Sequence, residues 1–194
     1  MEYYRSEIIP GDELPEDKKA AGFIRELIET IILSLILFIS IDTVSARIRV
    51  ESISMQKTLY AGYLVVVNKL AYSFGEPMRG DIIVFYPPNP DEEPYIKRVI
   101  GLPGEEVRVE NGVVYINGNP LHEPYIKSMP NYKGKWIVPE DSLFVLGDNR
   151  NNSFDSHSWG MVDFSNVIGK AEFVYWPPSA WKMLTPQAAS AASP

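Results

Sequence analysis

The chain has 194 residues, 45% of them hydrophobic and 22% charged, with a net charge of −7 and no cysteine. That length suits one compact domain with a small addition, and an aromatic content of 12% excludes a wholly disordered chain. A globally acidic chain is repelled by phosphate backbones, so no nucleic-acid partner is expected. The absence of cysteine excludes disulfides, zinc–thiolate sites and thiol nucleophiles.

Residues 1–20 are polar, acidic and broken by proline, and a flexible tail is expected over 1–26. Residues 27–46 are apolar on all faces and predict a transmembrane helix, since about twenty helical residues span about 30 Å, one bilayer core. Glu29 and Asp42 sit near its ends, where a charge reaches the interface cheaply. Two other readings stand beside it. Val44-Ser45-Ala46 is a small-residue site that a cleavable signal peptide needs, but more than twenty polar, acidic residues precede the run. A buried core helix calls for one apolar stripe, which this segment lacks. Lys18, Lys19 and Arg25 before the segment lean the orientation towards a cytoplasmic N-terminus and an extracytoplasmic remainder.

After Arg49 the pattern turns to short β-type runs punctuated by Gly, Pro and Asn. Strands are expected at residues 63–69, 81–86, 95–101, 107–109, 113–116, 143–146 and 167–176. They predict a mainly β chain: a Greek-key or barrel-like catalytic domain over 47–104 and 141–184, with a small inserted β subdomain at 105–140. Residues 185–194 are low in complexity and are expected to be disordered.

No metal, phosphate or dinucleotide motif occurs, and no cofactor is expected. Three polar constellations remain. Ser52-Ile53-Ser54-Met55 follows the apolar run, with Ser54 about eight residues past it; a serine there needs a neighbouring base to become a nucleophile. Lys97 lies between Ile96 and Val99, where an apolar setting lowers an amine's pKa and lets it act as that base. Gly147 to Gly160 is crowded with hydrogen-bonding side chains that can hold other groups in place.

In this order, the three resemble the boxes of the type I signal peptidases. Ser54-Met55 with Thr58-Leu59 is similar to the family's nucleophile box, Tyr95 to Glu105 to its lysine box, and Gly147-Asp148-Asn149-Arg150 with Ser153, Asp155-Ser156 and Gly160 to its last box. The resemblance spans residues 25–178. It implies Ser54 as nucleophile, Lys97 as general base, Ser52 with the Ser54 N–H as oxyanion hole, and Ser153 orienting the amine. It makes Asp155 a tie between the last box and the scaffold, and Asp148 and Arg98 supporting charges. The implied activity is signal-peptide removal from exported preproteins at the cell membrane, by a chain working as a monomer with preproteins and the lipid bilayer as partners.

Three positions depart from the family pattern. Ile53 stands where glycine is usual, Lys57 where proline is usual, and His157 where an arginine is expected. Lys57 could be taken for the base, and His157 opens a Ser–His–Asp reading. Two other classes share parts of the pattern: a Ser–Lys self-cleaving regulator, and a degenerate membrane-anchored β domain that binds preproteins without cutting.

Overall fold

A computed structural model describes residues 16–87 and 93–186; the expected tail residues 1–15 and 187–194 lie outside the described residues. The chain divides into two units, Met1–Asp42 and Thr43–Pro194.

The first unit carries helix α1, Glu16–Val44, which runs on into the second unit. Residues 16–26, assigned above to the tail, are helical: Lys18, Ala20, Ala21 and Glu26 are good helix formers, and polarity alone does not stop a helix. Gly22–Val44 forms a 23-residue stretch of mean hydropathy 2.2, long and apolar enough to cross a membrane, with none of it buried within the protein.

The second unit is mainly β. In chain order its strands are β1 (Ser45–Arg49), β2 (Leu64–Asn68), β3 (Ile82–Phe85), β4 (Tyr95–Gly101), β5 (Glu106–Glu110), β6 (Val113–Ile116), β7 (Asn119–Pro120), β8 (Gly134–Ile137) and β9 (Ser142–Leu146). The short helix α2 (Ser156–Trp159) follows, then β10 (Val162–Asp163), β11 (Val167–Trp176) and β12 (Lys182–Met183). Strand β1 was not anticipated, because its first residues continue the apolar run; pairing with β2 converts them to strand.

The main sheet is antiparallel and curled, in the order β1-β2-β11-β3-β4-β9-β10, with β12 added to β11. Strand β11 is long enough to serve two neighbours: Val167–Lys170 pair with β3, and Lys170–Trp176 pair with β2. A β-bulge in each ladder supplies the bend that curls the sheet. Gly169 allows this crossing, since a Cβ there would stand 2.3 Å from the Asn68 carbonyl oxygen.

A second sheet, β7-β6-β5-β8, is built from residues 106–137. It packs on the main sheet through a shared apolar cluster of Ile100, Val107, Val114, Val138, Phe144 and Leu146. Gly101 sits at this junction, where a Cβ would meet the Val107 side chain at 2.5 Å. A separate cluster of Val50, Met55, Leu59, Val65, Val84 and Ile96 lies beneath the segment that carries Ser54. The burial of Met55 and Leu59, both at 0% exposure, anchors that segment from below.

Candidate active site

Three parts of the chain converge on Ser54. The first is its own turn: the Gln56 N–H donates to the Ile53 carbonyl, and the Thr58 and Leu59 N–H groups donate to the Met55 carbonyl. The second is β4, whose pairing with β3 sets Lys97 opposite Ile83. The third is the 147–155 loop after β9.

Lys97 Nζ donates to Ser54 Oγ at 2.9 Å, and the two residues are each only 4% exposed. Burial lowers the Lys97 pKa from its ordinary value to about 8, the Asp155 carboxylate opposing this by favouring the charged form. An amine of that pKa is neutral in a substantial fraction near physiological pH, so it can take a hydroxyl proton. Ser52 Oγ lies 3.0 Å from Ser54 Oγ, and the Ser54 N–H reaches Ser52 Oγ at 3.4 Å. The hydroxyl and the N–H therefore stand side by side next to the seryl oxygen.

The 147–155 loop holds this turn by backbone and side chain. The Asn149 N–H donates to the Ser54 carbonyl at 2.9 Å, and Asn149 Nδ2 donates to the Ile53 carbonyl at 3.1 Å. Gly147 packs so closely that a Cβ would stand 2.5 Å from the Ser54 carbonyl oxygen and 2.3 Å from Ser153 Oγ. Ser153 Oγ is buried against it and has no hydrogen-bond partner among the described residues. Asp155 is fully buried; one oxygen accepts from the Gly147 N–H at 2.9 Å, and the other faces His157 Nδ1 at 2.6 Å. Arg98 grips Asp148 with two nitrogens, at 2.8 and 2.7 Å, and Thr58 Oγ1 donates to the same carboxylate. That buried pair joins β4 to the loop.

The departures leave the Ser54–Lys97 contact in place. Ile53 is half exposed and uses its backbone, not its side chain, to meet Asn149. Lys57 Nζ donates to the Pro124 carbonyl at 3.2 Å. The His157 ring stacks on Tyr132 at 4.0 Å, and its Nε2 lies 3.1 Å from Ser158 Oγ. Both ring nitrogens are thus engaged with residues other than Ser54, Nδ1 with Asp155 and Nε2 with Ser158, so His157 is not placed as a base for Ser54.

Two supports were missed in the sequence. Glu123 makes a buried ion pair with Arg150, at 2.9 and 2.5 Å, and Arg150 Nε donates to the Gly147 carbonyl. Tyr125 donates to Glu123 at 3.1 Å, and its ring lies under the Arg98 guanidinium at 4.1 Å. Both lie in a turn-rich stretch with no spacing signal, although Glu123-Pro124-Tyr125 is the sole Glu-Pro-Tyr besides residues 93–95. A groove of about 770 Å³ opens beside Ser54 and Lys97, with Ile48, Val50, Ile53, Tyr95 and Phe154 in its lining.

A seryl oxygen held against a desolvated amine, in a groove large enough for a peptide, is the arrangement of a serine peptidase. The family and sequence comparisons agree. The family described as "Signal peptidase, peptidase S26" matches residues 24–176. Signal peptidase I of Leptolyngbya laminosa is 47% identical over 177 residues, 87% of each chain. Probable signal peptidase I-2 of Synechocystis sp. is 42% identical over 170 residues, 84% of this chain and 78% of that one. A crystal structure of a signal peptidase I from Enterococcus faecalis, at 35% identity and a TM-score of 0.45, covers 50% of this chain and 97% of that one. The chain belongs to the S26 signal peptidase family and is a serine peptidase.

Proposed function

We propose that this protein is a membrane-anchored endopeptidase that removes signal peptides from exported preproteins, with Ser54 as nucleophile and neutral Lys97 as general base. The observation that carries this reading is the 2.9 Å contact between Lys97 Nζ and Ser54 Oγ, made inside the protein. Lys97 takes the Ser54 proton as Oγ attacks the scissile carbonyl. The resulting oxyanion is stabilised by the Ser54 N–H and the Ser52 hydroxyl. The C–N bond then breaks, Lys97 returns its proton to the leaving amine, and water activated by Lys97 hydrolyses the acyl-enzyme.

Supporting roles are assigned with it. Asp155 and Asp148 hold the loop that packs on Ser54, with Arg98 neutralising Asp148. Ser153, close to Gly147, orients the Lys97 amine once it carries the proton. The apolar stretch Gly22–Val44 spans the bilayer, with the N-terminus cytoplasmic and the β unit outside. The protein acts on a preprotein at the membrane as a monomer, and needs no cofactor.

The experiment is cleavage of a preprotein by the purified full chain in detergent. Ser54→Ala and Lys97→Ala are each expected to abolish it. Persistent cleavage by Lys97→Ala, with loss in Lys57→Ala, would move the base to Lys57. No cleavage by the unmodified protein across a preprotein panel would leave a binding module.

A further inference from the structure

On the far side of the nucleophile turn lies a second pocket, of about 320 Å³, lined by Lys57, Thr58, Pro124, Tyr125, Lys182 and Met183 among others. The turn divides the two spaces: Ser52 to Ser54 line the large groove, whereas Lys57 and Thr58 line this pocket. Lys57 Nζ donates to the Pro124 carbonyl at 3.2 Å, and Lys182 Nζ to the Thr58 carbonyl at 2.5 Å. Beside them, Lys127 Nζ donates to Gln56 Oε1 at 3.0 Å.

An ammonium carries three donors, and each of these three has a neutral acceptor and no ion pair among the described residues. The nearby acids are used internally. Asp148 is held by Arg98 and Thr58, and Glu123 by Arg150 and Tyr125. In a chain of net charge −7, three lysines with no ion-pair contact among the described residues, close to the nucleophile turn, make a local field of opposite sign, which the paired Asp148 near Lys182 only partly offsets.

We propose that Lys57, Lys127 and Lys182 receive acidic side chains of the chain that leaves, on the C-terminal side of the scissile bond. This rests on the signal-peptidase reading above. The part of the substrate that becomes the acyl group fills the large apolar groove, which ends its share of the turn at Ser54. The departing part then crosses the turn towards Lys57, three residues further on. At about 3.3 Å per extended residue, its second to fourth residues come within reach of a lysine side chain. The substrates singled out are preproteins whose mature portion begins with Asp or Glu at those places. Lys57, which departs from the family's usual proline, thereby acquires a part in substrate choice.

The test uses the full chain in detergent and matched peptides, identical up to the scissile bond, bearing Asp, Ser or Lys at the second to fourth following positions. The Asp peptide is expected to exceed the Lys peptide in kcat/KM by about fivefold to tenfold, as three partly exposed ion pairs allow, mostly through KM. The preference shrinks at high salt. In Lys57→Glu with Lys127→Glu it reverses, which loss of folding alone cannot produce. Equal rates for the Asp and Lys peptides, with the Ser peptide cut, would overturn the inference and leave the signal-peptidase reading intact. No peptide cut at all would overturn both. Lysine variants that alter only the response to phosphatidylglycerol vesicles would assign the patch to lipid, against the proposal.

Discussion

Asn149 and Ser54 are joined backbone to backbone, the Asn149 N–H donating to the Ser54 carbonyl at 2.9 Å, although they lie in different boxes of the sequence. The Asn149 side chain repeats the link one residue earlier, on the Ile53 carbonyl. Asn149→Ala keeps the first bond and removes the second. Asn149 is 1% exposed, so the loss of a buried hydrogen bond is expected to cost about 1–3 kcal/mol of stability. The Ser54 turn loosens with it, and kcat falls more than KM rises. Thermal unfolding and steady-state kinetics on the same variant check this; an unchanged melting point with unchanged kcat contradicts it.

With Lys97 as the proposed base, its amine, lowered to about 8 by burial, is expected to set the pH dependence of the reaction. Below that value the neutral fraction drops about tenfold for each pH unit, and kcat/KM is expected to drop with it. The Asp155 carboxylate holds the pKa up. Asp155→Asn removes that charge, so the acid limb moves to lower pH even as the loss of full acceptor strength for the Gly147 N–H lowers the overall rate. A pH–rate profile of both proteins reads this. A profile flat down to about pH 5 in the unmodified protein is incompatible with a neutral-lysine base.

The Ser54–Lys97 contact was anticipated through the resemblance of three boxes taken together; singly, a serine pair in a turn and a lysine among aliphatics on β4 are ordinary features. The strands were legible where apolar residues alternate or cluster between turn residues, as in β2, β4 and β11. Strand β1 was not, because its pairing with β2 is a tertiary event that overrides an apolar run read as one helix. Glu123 was not, because its role exists only once the second sheet folds and brings it to Arg150, 27 residues away in the chain. His157 was read as a possible base in a Ser–His–Asp set; its ring does meet the Asp155 carboxylate two residues away, but it also stacks on Tyr132, a contact not visible from sequence spacing.

The Glu123–Arg150 pair ties the second sheet to the active-site loop, with side chains 5% and 0% exposed. Burial by itself disfavours the Arg150 charge, and the Glu123 carboxylate more than offsets this, raising its pKa. Glu123→Ala leaves that guanidinium buried without its counter-charge, and a loss of about 3–5 kcal/mol is expected. Arg150→Met in the same background recovers part of it, since an apolar side chain needs no partner. A double-mutant cycle by denaturant unfolding measures the coupling; additive effects of the two substitutions would show that the pair is not a bracing contact.

Ser52 is the simplest place to separate transition-state stabilisation from folding. Its hydroxyl lies 3.0 Å from Ser54 Oγ and accepts a long hydrogen bond, 3.4 Å, from the Ser54 N–H, and its exposed side chain lines the groove outside the apolar core. Ser52→Ala is therefore expected to leave the melting point unchanged. If the hydroxyl donates to the developing oxyanion, its removal costs about 2.7–4 kcal/mol in the transition state, which lowers kcat by about 10²–10³ with little change in KM. The acid limb of the pH profile stays where Lys97 puts it, because the base is untouched. Ser52→Thr, which retains the hydroxyl, restores part of the rate. A drop confined to KM, or a Ser52→Ala enzyme as fast as the parent, removes Ser52 from the oxyanion hole and leaves the Ser54 N–H to act there without it.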